Sequence, residues 1–558
     1  MRLHKALALL TVTLLWVSVA GAEPPNPPEL PRVFLQTGLD QTPVTGQTIR
    51  VAAGEDLQAA LDQAQPGDEV VLEVGATFTG NFVLPAKEET GQWITVRTSD
   101  LAGLPPEGVR VNPADAAAMP RLVDPTGNSA LGTAPGAAFY RLIGLEITVA
   151  PTVENCWSLV SLGKGQEGQT SLDGLPHDLI LDRLYIHGDP QHNCFRGVSL
   201  NSARSSVIDC HISDAHAVGF DTQAIGGFFG PGPYKIVNCR LEGAGENVMF
   251  GGADPRVPDL VPSDIEFRYN TCWKPLTWKI EDPTYAGTPW CVKNLFELKN
   301  ARRILIEGNI FENNWVHAQA GTAILFTVRN QDGAAPWSAV QDVTFTNNRV
   351  RNSPSGFSIL GYDDNHPSQQ TLRVLIRNNL LERVDRTGFM VFGGAGDVEV
   401  DHNTFLPLNY LSFCMSGLSG HDAQGDVAGL PCRRFKLTNN IMGFGLYGQA
   451  IDGGQNTFEE AFPGLTWDKN LFVGYGEGRA QWAATSDKLP RGSIFEGKQT
   501  GDGQAGDADW PAVGFVDYTQ GDYHLAPTSK YRALGTDGKD LGVDMDALNE
   551  ALGGARTH

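Results

Sequence analysis

Short runs of alternating apolar and polar residues recur along this chain, and each run ends in Asn or Asp. Leu179-Ile180-Leu181-Asp182, Val207-Ile208-Asp209 and Ile236-Val237-Asn238 open the series. Ile265-Glu266-Phe267-Arg268-Tyr269-Asn270 and Ile304-Leu305-Ile306-Glu307-Gly308-Asn309 continue it, and later copies end at Asn348, Asn379, Asn403, Asn440 and Asn470. Successive copies lie 27, 29, 32, 39, 39, 31, 24, 37 and 30 residues apart. Period-two alternation predicts strands with one buried face. A fixed turn residue with a variable spacing predicts a coil of constant core and loops of unequal length. Asn tolerates the left-handed backbone of a sharp turn, and stacked Asn side chains can bond the next coil. A propeller would need four antiparallel strands per repeat at a steadier period, and the Leu spacing of a leucine-rich repeat is missing.

Both ends suit such a coil. Leu57, Ala60, Leu61 and Ala64 form an i, i+3, i+4, i+7 stripe, so a short amphipathic helix precedes Pro66-Gly67-Asp68 and a first strand over 69–73. Gly521-Asp522-Tyr523-His524-Leu525 through Gly535-Thr536-Asp537-Gly538 makes the close. Caps are needed because an open coil end exposes core and unpaired strand edges. From about Gly54 to Asp544 the chain resembles the pectate-lyase-like right-handed parallel β-helix superfamily. The expected fold is therefore all-β: a right-handed parallel β-helix, or solenoid, with a short N-terminal capping helix and long groove-flanking loops. The expected divisions are a signal peptide at 1–22, an N-terminal extension at 23–53, the β-helix at 54–475 and a C-terminal capping region at 476–558.

The leader reading rests on Arg2, His4 and Lys5, an apolar run from Ala6 to Val19, and Ala20-Gly21-Ala22 as a small-x-small cleavage pattern. It implies a secreted, periplasmic or cell-surface protein, with no membrane span once the leader is removed. The formal charge is −22, and loss of Arg2 and Lys5 deepens it. Such a surface repels phosphate backbones and argues against a nucleic-acid partner. An extracellular polysaccharide is the expected partner, and a monomer the expected state. The eight cysteines of an exported chain suggest disulfides. Cys210 and Cys239 hold equivalent repeat positions, while Cys272–Cys291 and Cys414–Cys432 would each close a loop.

In this superfamily the third strand of each coil commonly carries the substrate groove. Alternation turns Val198, Leu200, Phe296, Leu298, Ile324, Phe326 and Val328 inward. It turns Asn201, Asp221, Gln223, Asn247, Glu297, Lys299 and Arg329 outward. Loops at 226–233, 252–262, 273–290 and 331–340 flank this sheet and carry Trp273, Trp278, Trp290 and Trp337, whose faces could stack on sugar rings or pack the loops onto the coil. Asn201, Gln223, Asn247, Trp273, Lys274, Trp278 and Lys279 are the expected substrate contacts. His187, His192, His211 and His216 read as surface or turn histidines.

Acid and base meet in the same coils. Glu297 and Lys299 share the outer side of one strand, and Arg329 falls on the next, about 5 Å away if the strands pair. This arrangement is similar to the chondroitinase B and alginate lyase family, although Lys299 is followed by Asn300 and Arg329 by Asn330 where that family has Ser and His-Gly. The resemblance implies β-elimination, with Lys299 as base, Arg329 as charge neutraliser or proton donor, and Glu297 alongside. It also implies calcium held by carboxylates drawn from Asp221, Glu246, Asp254 and Glu297. Two other readings stay open. Asp221 with Glu246 could serve a glycoside hydrolase, although Asp363-Asp364 lacks the Gly-His-Gly of the polygalacturonase pattern. A non-catalytic glycan-binding or adhesion solenoid is the third.

Overall fold

The computed structural model describes residues 24–165, 168–408, 411–416, 430–445, 449–452, 461–474, 492–497 and 510–554. The expected signal peptide lies outside the described residues. Among them, no helix is long and apolar enough to cross a membrane.

The chain winds into a parallel β-helix, as its pattern predicts. Fourteen strands, from Thr48–Val51 to Thr466–Asp468, stack into the first face. Each coil then turns a corner into a short second-face strand and bends again into a third-face strand. One coil runs Ser263–Arg268, Thr271–Trp273 and Asn294–Leu298 before Ala301–Glu307 opens the next. Second and third faces merge where Arg349–Leu360 and Leu380–Phe392 run through the bend unbroken. Between the faces lie columns of Leu, Ile, Val and Phe: Phe311 stacks on Phe345 at 5.7 Å, and Phe345 meets Phe357 edge-on at 5.2 Å. The helix α1, Leu57–Gln63, covers the N-terminal end with Leu57, Ala60 and Leu61 buried, and Asp56 caps it by accepting from the Ala59 N–H.

The first corner carries the Asn ladder, one position displaced from the expected turn. The left-handed residue is the one before each Asn: Tyr269 (φ 61°), Gly308 (67°), Asn347 (55°), Asn378 (55°), His402 (52°) and Asn439 (61°). The Asn itself turns inward and is fully buried from Asn270 to Asn470. Its side-chain oxygen accepts from the preceding coil's Asn: Asn309 donates both its backbone N–H and Nδ2 to Asn348 Oδ1 at 2.9 Å. Asn348 repeats this onto Asn379 at 2.8 and 3.2 Å. Asn348 Nδ2 also reaches the Ile306 and Thr346 carbonyls, both at 2.9 Å. Asp209 and Asn238, counted with the ladder from sequence, occupy the left-handed position instead, and Cys210 and Cys239 take the buried one.

A Pro-rich strap crosses the first face. The N–H groups of Asn26, Glu29 and Arg32 donate to Asp397, Asp342 and Asp264 at 2.9, 3.0 and 2.9 Å. Those aspartates lie two coils apart, or about 9.6 Å at strand spacing. Three residues of polyproline II rise about 9.3 Å, so this segment matches the coil repeat. Each aspartate is also gripped by an Arg one coil on: Arg434, Arg373 and Arg303. At the other end, 510–554 folds back along the coils rather than only closing the last one. Its helix α2, Met545–Gly553, buries Leu548 and Leu552 in a cluster with Leu380, Leu406, Ile441 and Leu471.

The disulfide expectation is corrected. The seven cysteines with described side chains are free and buried; the side chain of Cys414 lies outside the described residues. Cys272 cannot clamp the loop ending at Cys291, because it sits in a core column between Leu241 and Phe311. Cys156 and Cys194 pair in register as neighbouring thiols.

Asn348→Ala should lower stability by about 2 kcal/mol or more, since it strands several buried backbone groups. Urea unfolding measures this. Thiol titration with mapping of the labelled sites should find none of the seven described cysteines reactive in the native protein and all seven reactive after unfolding.

Candidate functional site

The third face is built by β1 (Val160–Leu162), β2 (Arg196–Leu200), β3 (Gln223–Gly227), β4 (Glu246–Phe250), β5 (Asn294–Leu298) and β6 (Thr322–Thr327). These strands are kinked. Two successive residues point inward: Asn247 with Val248, and Leu295 with Phe296, are all fully buried. A side chain on Gly197 would strike Ile212 and the Ala224 carbonyl, so the same bend exists in β2. Two outward columns result. Arg196, Gln223, Glu246 and Asn294 form the first. Ser199, Gly226, Met249, Glu297 and Leu325 form the second. Strict alternation fails at this kink, and so the outward placement of Asn247 is corrected. Its Nδ2 donates to the Leu241 and Trp273 carbonyls at 2.7 and 2.9 Å.

A charged cluster sits where the columns meet. Gln223 Nε2 donates to Glu246 Oε2 at 2.7 Å, and Asn294 Nδ2 to Glu297 Oε2 at 2.9 Å. Thr327 Oγ1 donates to Glu297 Oε1 at 3.2 Å, and Lys299 Nζ lies 3.7 Å from that oxygen. The Lys293 ammonium pairs with Asp221 and lies 3.9 Å from Glu246 Oε1. Burial raises the Glu246 carboxyl to about 7, with Glu297 and Asp221 adding to the shift and Lys293 and Lys299 opposing it. Burial lowers Lys293, but Glu246 and Asp221 outweigh it, and its ammonium is held more tightly than usual.

Lys299 and Arg329 leave the third face at the same corner of consecutive coils. The Arg329 N–H donates to the Lys299 carbonyl at 2.9 Å. Asp363 Oδ1 accepts from Arg329 Nη1 at 2.6 Å, and Asp364 grips the same nitrogen. The Asp363-Asp364 pair therefore orients a guanidinium.

Other expected contacts lie elsewhere. Trp273 is on the second face, under the Arg240 guanidinium at 4.4 Å. Lys274 is fully buried and donates to the Gly243, Ala244 and Gly245 carbonyls and to Asn247 Oδ1 at 2.5, 3.0, 3.3 and 3.1 Å. Burial pushes its ammonium down to about 7. Trp278 joins Trp290 and Trp315 in a buried cluster that packs the loop onto the coil, and Lys279 sits part-exposed in that loop. His216 is fully buried against the Trp290 ring at 3.8 Å and is no surface histidine. Asn201 Oδ1 accepts from the Phe228 and Phe229 N–H groups, both at 3.1 Å, which shapes the groove wall.

The carboxylates expected to hold calcium already have protein partners. Asp254 Oδ2 accepts from the Asp332 and Ala334 N–H groups at 2.9 and 2.8 Å and ties two loops together. Lys293 already stands between Asp221 and Glu246. Among the described residues, no group of three or more His, Cys, Asp or Glu side chains assembles as a metal site.

Sequence reasoning missed Lys293 and Arg196. Lys293 precedes the register position that Gln223 and Glu246 fill in earlier coils, a correspondence visible only once β5 is aligned on Asn294. It also missed the exposed rings at the leading edge, Trp157 and Phe220.

No protein-family model and no curated protein matches the chain. Similar solved structures include a mannuronic acid specific polysaccharide family 6 lyase from human gut microbiota, 13% identical over 81% of this chain and 91% of that one, with a TM-score of 0.47. The PL6 polysaccharide lyase Pedsa3628 from Pseudopedobacter saltans is 13% identical over 76% and 92%, TM-score 0.45. The catalytic unit of a GH87 alpha-1,3-glucanase from Streptomyces thermodiastaticus is 12% identical over 77% and 69%, TM-score 0.45. These likenesses are low and partial, and no residue's role is carried over from them.

Glu246, and Glu242 on the second face, are both raised to about 7 from 4.5, burial being the first cause for each. The folded chain keeps protons there that the unfolded chain releases. Stability should therefore fall as pH rises from about 4.5 to about 7, by roughly 3 kcal/mol per group at most. Glu246→Gln should lessen the fall in urea unfolding at about pH 5 and about pH 8.

Proposed function

We propose that this is an exported polysaccharide lyase that cleaves a uronate-containing glycan by β-elimination. The observation that supports this most directly is the pairing of Lys299 with Arg329 at one corner of adjacent coils, 2.9 Å apart through their backbones, with Glu297 beneath. Lys299 takes the proton from C5 of the uronate. The electron pair of the broken C5–H bond moves toward the sugar carboxylate. It returns as the C4=C5 double bond while the C4–O bond breaks, and the leaving oxygen takes a proton from solvent. Arg329 neutralises the sugar carboxylate: Asp363 and Asp364 occupy only its Nη1, so Nη2 and Nε can face the substrate. Glu297 positions Lys299, and Lys293 brings positive charge to the carboxylate cluster without a metal.

Hydrolysis is the second reading, favoured by one feature. Glu246, with its pKa raised to about 7 beside Asp221 and Glu297, has the environment of a general acid with carboxylate neighbours. The two readings differ in product. A lyase gives an unsaturated sugar that absorbs in the ultraviolet; a hydrolase gives reducing ends without it.

Incubation with a panel of uronate-containing and neutral glycans, following both signals, should give ultraviolet absorbance from a uronate polymer. Lys299→Ala should lower that rate by at least about 100-fold with an unchanged melting temperature. A chelator should leave the wild-type rate unchanged, and Lys293→Met should not. Reducing ends without absorbance would establish hydrolysis instead.

A further inference from the structure

On the reading that this groove takes an acidic glycan, we infer that Arg196 and the rings beside it form a remote subsite for a negatively charged sugar unit, several coils before Lys299. The strongest sign is a missing partner. None of the Arg196 N–H donors meets a protein acceptor among the described residues, and its Nε is buried. The guanidinium only covers the Phe228 ring at 4.7 Å. An unsatisfied buried donor is a cost of about 1–3 kcal/mol that the fold alone does not offset. The same column continues with further unsatisfied buried atoms: Gln223 Oε1, Glu246 Oε1 and Asn294 Oδ1. Arg196 also lines a cavity of about 270 Å³ with Ser199, Asn201, Gln223, Phe228 and Phe229. An Arg fork without an acceptor among the described residues, beside hydroxyl and amide groups and with Asp221 already paired to Lys293, suits a carboxylate or sulfate on a sugar.

A second observation extends the site. Trp157, Phe195 and Phe220 lie on three consecutive coils at the leading edge of this face. Trp157 stacks on Phe195 at 4.7 Å, and Phe220 meets Phe195 edge-on at 5.3 Å. Trp157 is 54% exposed and Phe220 58%. Phe195 directly precedes Arg196, and Phe220 directly precedes Asp221, which also lines the cavity. Isolated exposed rings need no explanation, but a stacked exposed ramp beside an unpaired Arg is a binding surface. From β2 to β5 is three coil steps, about 14 Å at strand spacing, the reach of a few linked sugars. The occupant is therefore an acidic polysaccharide segment that reaches from Lys299 to Arg196, its ring faces on the Trp157 ramp.

The test uses the full-length secreted protein, a uronate polymer and oligomers of it of graded length. Arg196→Gln and Trp157→Ala should each raise KM and Kd for the polymer about tenfold and change kcat less than twofold. Wild-type affinity should step up when an oligomer becomes long enough to span the coils, and both variants should lack that step. Val516→Ser, an exposed apolar residue on the C-terminal segment, should match wild type. The Arg196 side chain makes no protein hydrogen bond among the described residues and Trp157 is exposed, so a folding failure in one leaves the other to decide. If wild type cleaves the polymer while both variants keep its KM, Kd and length dependence, the subsite is overturned and the lyase reading stands. If wild type binds the polymer without cleaving it and the variants lose binding, the subsite stands and the lyase reading falls. Binding of neutral glycans alone overturns both.

Discussion

The backbone ladder between parallel coils is the constraint on which everything else in this protein depends. Each coil is locked to the next by strand hydrogen bonds at a fixed rise of about 4.8 Å, and the register cannot slip without turning buried side chains out. The Asn ladder adds a second lock inside the corner. Asn309, Asn348 and Asn379 each accept from the Asn of the coil before, donate to the Asn of the coil after and reach back to a carbonyl of the coil before, so buried corner groups find partners without water. Parallel register makes neighbours of residues 24 to 48 positions apart. Glu246 and Asn294 are such neighbours, and so are Lys299 and Arg329.

Charge is organised by the same repeat. On the first face, aspartates of alternate coils accept from the Pro-rich strap and from an Arg of the following coil, so they are paired and half-buried. On the third face the pairing is incomplete. Lys293 and Lys299 answer Asp221, Glu246 and Glu297, one of the carboxylates is pushed toward neutrality, and Arg196 is left without an acceptor among the described residues. The unsatisfied column on the third face is informative because desolvated polar atoms without partners are costly and four of them there, Arg196 Nε, Gln223 Oε1, Glu246 Oε1 and Asn294 Oδ1, line up where a ligand can complete them.

The fold was largely legible because its signal is periodic. Alternating apolar positions in runs of about six residues predict strands, their repetition predicts stacking, and the Leu57 to Ala64 stripe predicts the capping helix. The site was legible only in part. Glu297 and Gln223 follow from counting along strands and do lie on the third face, with Asp221 just before it and Lys299 and Arg329 at its far corner. Asn247 does not, because β4 is kinked and presents two inward residues in succession, which a period of two cannot express. Trp273, Lys274 and Trp278 stand close in sequence to a loop beside the groove, yet the chain has already turned onto the second face there. Trp278 fills a hydrophobic cluster and Lys274 caps three carbonyls. The Asn26 to Arg32 strap was missed because polyproline II buries no alternating face and so leaves no apolar pattern to read.

By itself, then, the amino-acid order determined the strand period, the corner asparagines, the N-terminal cap and a strongly acidic net charge. Those properties are local, or repeat locally, and need no knowledge of which coil touches which. Tertiary structure decided which polar residues meet: that Lys293 stands between Asp221 and Glu246, that Asp363 and Asp364 hold Arg329, that Cys156 and Cys194 meet as neighbouring thiols, and that Arg196 faces a cavity. Such pairings depend on loop lengths and strand kinks that set the register between distant segments, and a single chain read in order carries no measure of that register.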